Sequence, residues 1–269
     1  MTDSERATDV TREDTPVGEI AAVAAQVARL LGAAVEGRAY RGDGFAFGVS
    51  GTDSADLNLA IVWGSGTDAP SALSAWSGPM VALGLGSGEE VIAGLAPTVD
   101  LVDVGARLPV WACPTPGPVP TGGMTVVEVH LPEQLAEAQQ IVATSFGLDE
   151  ATVAAAFPAS SLATAGLRWY LGSVDDEPVT CVATLADGAV GSLWCGGTLP
   201  SARGHGHFTV LLAAAMRGAG DGAVQRWWGI TEAEASARAL QRLGAHQVGD
   251  ARVWVRGSAV GELIANPAG

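Results

Sequence analysis

Apolar residues set the first elements of the chain. Across EIAAVAAQVARLLGAAVEG, Val23, Val27, Leu30 and Leu31 recur at spacings of three and four. That period lines one side of a helix, expected from Val17 to about Gly37. Phe45 and Phe47 alternate with small residues, and the run 57–63 (LNLAIVW) reads as a buried strand. A second helix is expected over 70–83. Short apolar pieces follow at 91–93 and 108–113. The segment 114–123, PTPGPVPTGG, then packs four prolines and three glycines into ten residues. It reads as a linker, because such a backbone has few donors and no regular conformation.

Beyond it the pattern is sharper. Residues 124–130 alternate as a strand, and Pro132 opens a helix at a position where its missing N–H costs nothing. Leu135, Ala138 and Val142 line one face of that helix. A further helix over 149–157 is stopped by Pro158. Strands are expected at 168–174, 179–186 and 189–199, with Asp175-Asp176-Glu177-Pro178 and Asp187-Gly188 as turns. A glycine-bearing loop leads into a helix over 208–217, closed by Gly218. A strand over 223–230 precedes a helix that runs to Leu243, opened by a capping box at Thr231–Glu234 and ended by Gly244. A last strand covers 252–256. The order is β α α β β β α β α β, an α/β fold with a mixed sheet. The divisions are a disordered tail (1–15), a first domain (16–113), the linker (114–123), a second domain (124–258) and a tail (259–269).

Composition narrows the chemistry. All fourteen basic residues among the 269 are arginine, and the net charge is −15. Without lysine there is no Walker-type P-loop, pyridoxal Schiff base or lysine general base. An acidic chain with a pI near 4.5 does not favour nucleic acid or an anionic membrane as partner. No apolar run reaches the ~18 residues of a membrane span. The polar N-terminus and three unpaired cysteines (Cys113, Cys181, Cys195) point to a reduced, cytoplasmic chain. No metal is expected.

One loop carries chemistry, residues 198–209, TLPSARGHGHFT. Its glycines let consecutive N–H groups turn the same way, and the following helix start adds unsatisfied donors and partial positive charge. Together they form a phosphate cradle that needs no lysine. Residues 124–258 hold eight arginines against thirteen acids, net −5, and residues 1–123 six against fifteen, net −9. Ordinary roles compete elsewhere. His205 and His207 lack a third ligand, and Cys195 sits in an apolar strand where inert packing is commoner. Adjacent Trp227 and Trp228 must face opposite ways, one to the core and one to a pocket or domain contact. Asp175, Asp176 and Glu177 lie in a turn, and Asp53 and Asn58 read as turn and strand-edge residues.

Arg203-Gly204-His205-Gly206-His207-Phe208, set in this element order, resembles the Arg/Gln-x-x-Gly-x-Gly/Ala motif of the GNAT superfamily of acyl-CoA-dependent N-acyltransferases. The resemblance covers about residues 124–256. It implies a GNAT-like fold, with acetyl-CoA or another acyl-CoA as co-substrate and a small-molecule amine as acceptor. Arg203 and the backbone of Gly204, His205, Gly206 and Thr209 would hold the pyrophosphate. Gly196 and Thr198 would pair with the pantetheine arm, and the Thr198 N–H would stabilise the oxyanion. Two positions depart from the family: Phe208 replaces Gly or Ala, and Leu240 replaces the usual tyrosine acid. Nor does the strand carry the usual carboxylate base; Leu193, Trp194 and Cys195 stand there. The general acid and base are therefore unassigned. The first half, with strand 57–63, glycines 64 and 66 and the helix after them, reads as a degenerate copy in tandem; an unrelated lid domain is the alternative. A homodimer is compatible with the pattern. The competing function is a GNAT-fold protein that has lost acyl transfer and acts as a binding module or runs another reaction in the cleft.

Overall fold

The computed structural model describes residues 17–257 except 66, 220, 221 and 232. The expected tails at 1–15 and 259–269 lie outside the described residues. The chain opens with α1 (Val17–Gly32), then β1 (Arg38–Gly42), β2 (Phe45–Val49), β3 (Asn58–Val62), α2 (Ala69–Ser74), β4 (Met80–Gly84), α3 (Gly88–Leu95) and β5 (Val102–Pro114). The remainder is β6 (Thr125–Glu128), α4 (Pro132–Phe146), α5 (Glu150–Ala156), β7 (Leu167–Val174), β8 (Glu177–Asp187), β9 (Val190–Thr198), α6 (His207–Ala219), β10 (Arg226–Ile230), α7 (Glu234–Arg242) and β11 (His246–Arg256). The expected order of the second half is the observed one.

The first half departs from the sequence pattern in several places, beginning with α1, which ends at Gly32 and not near Gly37. The helix expected over 70–83 stops at Ser74, and 80–84 form strand β4. Pro79 explains the break, since it cannot continue a helix and biases the residue before it toward extended backbone. The apolar piece at 91–93 belongs to α3, and the one at 108–113 is the end of the thirteen-residue β5. Strand β1, RAYRG, has no signal in the sequence pattern. It is a largely exposed edge strand with no apolar alternation to betray it.

Two details of the second half also differ. Gly218 does not end α6, which continues to Ala219. That glycine permits close packing instead: a Cβ there would lie 2.9 Å from the Tyr170 hydroxyl. The capping box at the start of α7 does not form. The Thr231 hydroxyl accepts from the N–H of Ala233, which precedes the helix.

Among the described residues, eleven strands join one sheet in the order β1-β2-β3-β4-β11-β5-β10-β9-β8-β7-β6. Apart from β6, the order is symmetric about the β11–β5 pair. On each side an antiparallel meander (β1-β2-β3 or β7-β8-β9) is followed by a parallel neighbour, β4 or β10. The last strands are exchanged. β5, from the first half, pairs with β10, and β11, from the second, pairs with β4. β5 and β11 also pair with each other. Neither half closes its sheet alone.

Helices cover both faces of the sheet. The largest core cluster joins α1, α4 and α5 to strands of both halves, including Ile61, Trp169, Trp228 and Val253. Two smaller clusters lie under α6 with α7 and under α2 with α3. Helix α1 is tied to the second half by polar contacts. Glu19 accepts from Arg226 and from the Trp228 indole, and Arg29 donates to Asp187. The fully buried Gln26 accepts from Ser192 Oγ at 2.5 Å and donates to the Val190 carbonyl at 3.0 Å.

Candidate active site

β9 and β10 run parallel from Val190/Arg226 only as far as Ser192/Trp228. Past that point they diverge, leaving the β10-facing edge of residues 193–198 without a strand partner. On its other side β9 stays paired with β8, where one residue is extra. Cys181 faces Gly197, and Ala183 faces Trp194. Val182 is therefore opposed by both Cys195 and Gly196, a β-bulge. Cys195 takes φ 52° there. The Leu199 N–H donates to the Val179 carbonyl, which makes the neighbouring Thr180–Thr198 pair non-hydrogen-bonded by the alternation of an antiparallel ladder. The N–H and C=O of Thr198 thus point away from β8, toward the opening.

The loop after β9 folds back on this edge. Pro200–Ala202 form one 3-10 turn, and Arg203 Nε donates to the Thr198 carbonyl at 3.1 Å. Gly204 and Gly206 have φ of 83° and 80°, and a Cβ on either would meet nothing within 4 Å. Backbone conformation, not crowding, is what calls for glycine at both. Helix α6 then begins at His207. The N–H groups of His207, Phe208 and Thr209 open the helix and have no intrahelical acceptor. The His205 and His207 rings stack at 5.6 Å. Among the described residues, no group of three or more His, Cys, Asp or Glu could hold a metal ion.

The departures from the motif have defined places. The Phe208 ring is half-buried and lies on Gly196, where an added Cβ would sit 2.6 Å from its Cζ. It packs with Leu193 and Val210 against the core beneath α6. Leu240 is buried and faces Gly229 of β10. The two tyrosines stand elsewhere: Tyr40 stacks on Phe47, and the Tyr170 hydroxyl contacts Glu128. Burial pushes the Cys195 thiol up to about 12, so it stays protonated and is no nucleophile at neutral pH. Asp175 and Asp176 form the β7–β8 turn with φ of 51° and 63°. Asn58 is no edge residue; it is fully buried and its amide donates to the carbonyls of Thr52, Ser54 and Pro79.

The matching position in the first half is closed. β3 and β4 stay paired from Leu59/Val81 to Val62/Gly84, and the Leu85 N–H extends the ladder to the Val62 carbonyl at 2.9 Å. The start of α3 presses on this point, since a Cβ on Gly88 would lie 2.0 Å from that carbonyl oxygen.

This architecture is shared by solved structures. A GCN5-related N-acetyltransferase from Kribbella flavida superimposes with a TM-score of 0.63 at 20% identity, covering 90% of this chain and 98% of its own. The chain has the GNAT fold. A GCN5-related N-acetyltransferase from Sphaerobacter thermophilus gives a TM-score of 0.51 at 15% identity, over 88% of this chain and 93% of its own. A tandem GNAT protein from the clavulanic acid biosynthesis pathway gives 0.53 at 13% identity, over 90% and 95%. No protein-family model and no curated protein matches the sequence. Among the described residues no helix is long and apolar enough to cross a membrane.

Further residues outside the motif shape the opening. The Ser145 hydroxyl of α4 is buried without a partner and lies against Gly197, on the face opposite Phe208. Trp194 donates to Ser192 Oγ at 2.7 Å, linking the divergent edge to Gln26. Gln26 did carry a signal. It falls on the apolar stripe of α1, three residues after Val23 and four before Leu30, where an amide needs a buried partner.

Proposed function

We propose that the chain transfers an acetyl or short acyl group from acyl-coenzyme A to the amine of a small molecule, at the opening between β9 and β10. The observation that carries this reading is the unpaired edge of β9 ending at the Arg203–Thr209 cradle. An extended pantetheine arm could pair with that edge as an added strand. The loop and the helix start offer the backbone donors that a pyrophosphate needs. Gly204, His205, Gly206 and Thr209 would hold the phosphates, with Arg203 beside them and Gly196 and Thr198 along the arm.

Acyl transfer places negative charge on the thioester oxygen as the amine attacks. The Thr198 N–H, turned away from β8, would stabilise that charge from a fixed position. With Leu240 at the acid position and both tyrosines elsewhere, catalysis would rest on proximity and oxyanion stabilisation. As the C–N bond forms and the C–S bond breaks, the amine's proton would leave through water and the departing coenzyme A thiolate would take a proton from water.

We further infer that residues 16–113 and 124–258 are tandem copies joined by 114–123. The symmetric strand order with exchanged β5 and β11 supports this. The closed β3–β4 pair makes the first copy degenerate, so one acyl-CoA site per chain is expected.

The buried Leu240 favours a second reading, a GNAT-fold module that binds but no longer transfers. Thiol release from acetyl-CoA across a panel of primary amines separates the two. Amine-dependent release supports transfer. Saturable acetyl-CoA binding without release supports the module.

A further inference from the structure

The opening has a second wall, supplied by the first half. β10 ends at Ile230, and the Thr231 N–H, bonded to the Pro109 carbonyl, carries its pairing with β5 one step further. Beyond that point β5 runs on with β11 as its partner. Register sets the levels across the sheet. Ser192 pairs with Trp228, and Trp228 with Ala112. Val110 therefore stands level with Trp194, and Leu108 lies two residues further toward the Thr198 end. There β9 and β5 face each other with no strand between them, about 10 Å or more apart, two strand spacings.

This wall is apolar. Leu108, Ala106 and Val104 are half-buried and pack on the core cluster shared by α1, α4 and α5. The charged residues of the same stretch are engaged elsewhere, Arg107 with Glu89 and Asp103 with Arg252. Helix α1 packs on β1, β2 and β3 and, across the gap, on β8 and β9. It leaves this length of β5 partly open. Contiguous apolar surface of this kind marks a binding groove.

We propose that the strip Leu108-Ala106-Val104 binds the acceptor, and that the acceptor is an amine carrying an apolar body of several carbons. The inference rests on the acyl-transfer reading above and adds the class of amine. Continuity with the opening argues for this occupant. An amine that attacks a thioester held at the Thr198 N–H has its other end across the gap, at the level of Leu108. A hydroxylated or charged body loses water there and gains no partner. β5 belongs to the half whose own β3–β4 pair is closed, so that half selects the acceptor.

The test is thiol release from acetyl-CoA by the full chain, with ethylamine, butylamine, hexylamine and 5-amino-1-pentanol as acceptors. kcat/KM should rise about threefold to fourfold per buried methylene along the alkylamines. The amino alcohol, matched to hexylamine in length, should fall about tenfold or more below it. Leu108→Ser should lower the hexylamine-to-ethylamine ratio, whereas a merely structural loss would lower both rates alike. Val104→Ser serves the same purpose if Leu108→Ser does not fold. Release that ignores chain length overturns the inference and leaves acyl transfer standing. So does a ratio that neither substitution changes. A wild-type dimer in sedimentation that Leu108→Ser splits gives the strip to a second copy and also overturns it. No release with any amine overturns the transfer reading and the inference together.

Discussion

The phenyl ring of Phe208 rests on the backbone of Gly196, one element's second residue against another's bulge. A Cβ at Gly196 would lie 2.6 Å from Phe208 Cζ. The residue that breaks the glycine-rich motif is thus matched by a glycine across from it. The ring fills space between α6 and β9 in place of a larger strand residue.

This pairing predicts non-additive substitutions. Gly196→Ala alone should destabilise the fold by forcing the ring aside. Phe208→Ala alone should lose packing beneath α6. The double substitution should cost less than the sum, with a coupling of about 0.5–3 kcal/mol in urea unfolding. Strict additivity would show that the two residues do not meet.

Gly206 makes a conformational prediction. Nothing crowds it, so a side chain there fails only through its φ of 80°. Gly206→Val should cost about 1–3 kcal/mol and weaken acetyl-CoA binding. Gly206→Asn should be milder, because asparagine tolerates left-handed backbone. Equal melting temperatures for the two variants would contradict this.

Gln26 joins the halves through buried bonds. Gln26→Leu leaves the Ser192 hydroxyl and the Val190 carbonyl without their α1 partner. The expected loss is about 1–3 kcal/mol, read from denaturant midpoints. Ser145→Ala should behave oppositely. Its hydroxyl has no partner to lose, so stability should hold or rise.

The exchanged strands β5 and β11 carry a pH signature. Arg252 donates to Asp103 and, with the Gly105 N–H, lowers the Asp103 carboxyl below its ordinary value. A lowered carboxyl stabilises the fold above its unfolded pKa of about 3.9, and that stability is lost as pH falls through the folded value. The pair is partly exposed, so the effect is small. Asp103→Asn should lower the melting temperature slightly at pH 7, and the difference should vanish in acid. A difference that grows on acidification would contradict the assignment.

How far the sequence discloses the molecule varies along it. The second half was legible because Pro132, Pro158, Asp187-Gly188 and the Arg203–Phe208 motif punctuate it locally. The first half misled at 80–84, where a five-residue apolar run has no period to separate strand from helix. The exchange of β5 and β11 was invisible, since its pairings join residues 112–120 and 168–176 apart in the chain and leave no local trace. At the site, the glycine loop was legible as a motif. The bulge at Cys195–Gly196, the closed β3–β4 pair and the reach of α1 to Ser192 and Trp228 depend on tertiary packing alone.

The central claim is that one acyl-CoA lies between β9 and β10. A crystal structure grown with saturating acetyl-CoA tests it most directly. The account predicts a single cofactor per chain, its pyrophosphate on the amides of residues 204–209 and its pantetheine along Gly196–Thr198. Density at the β3–β4 pair, or none at the β9–β10 opening, would contradict it.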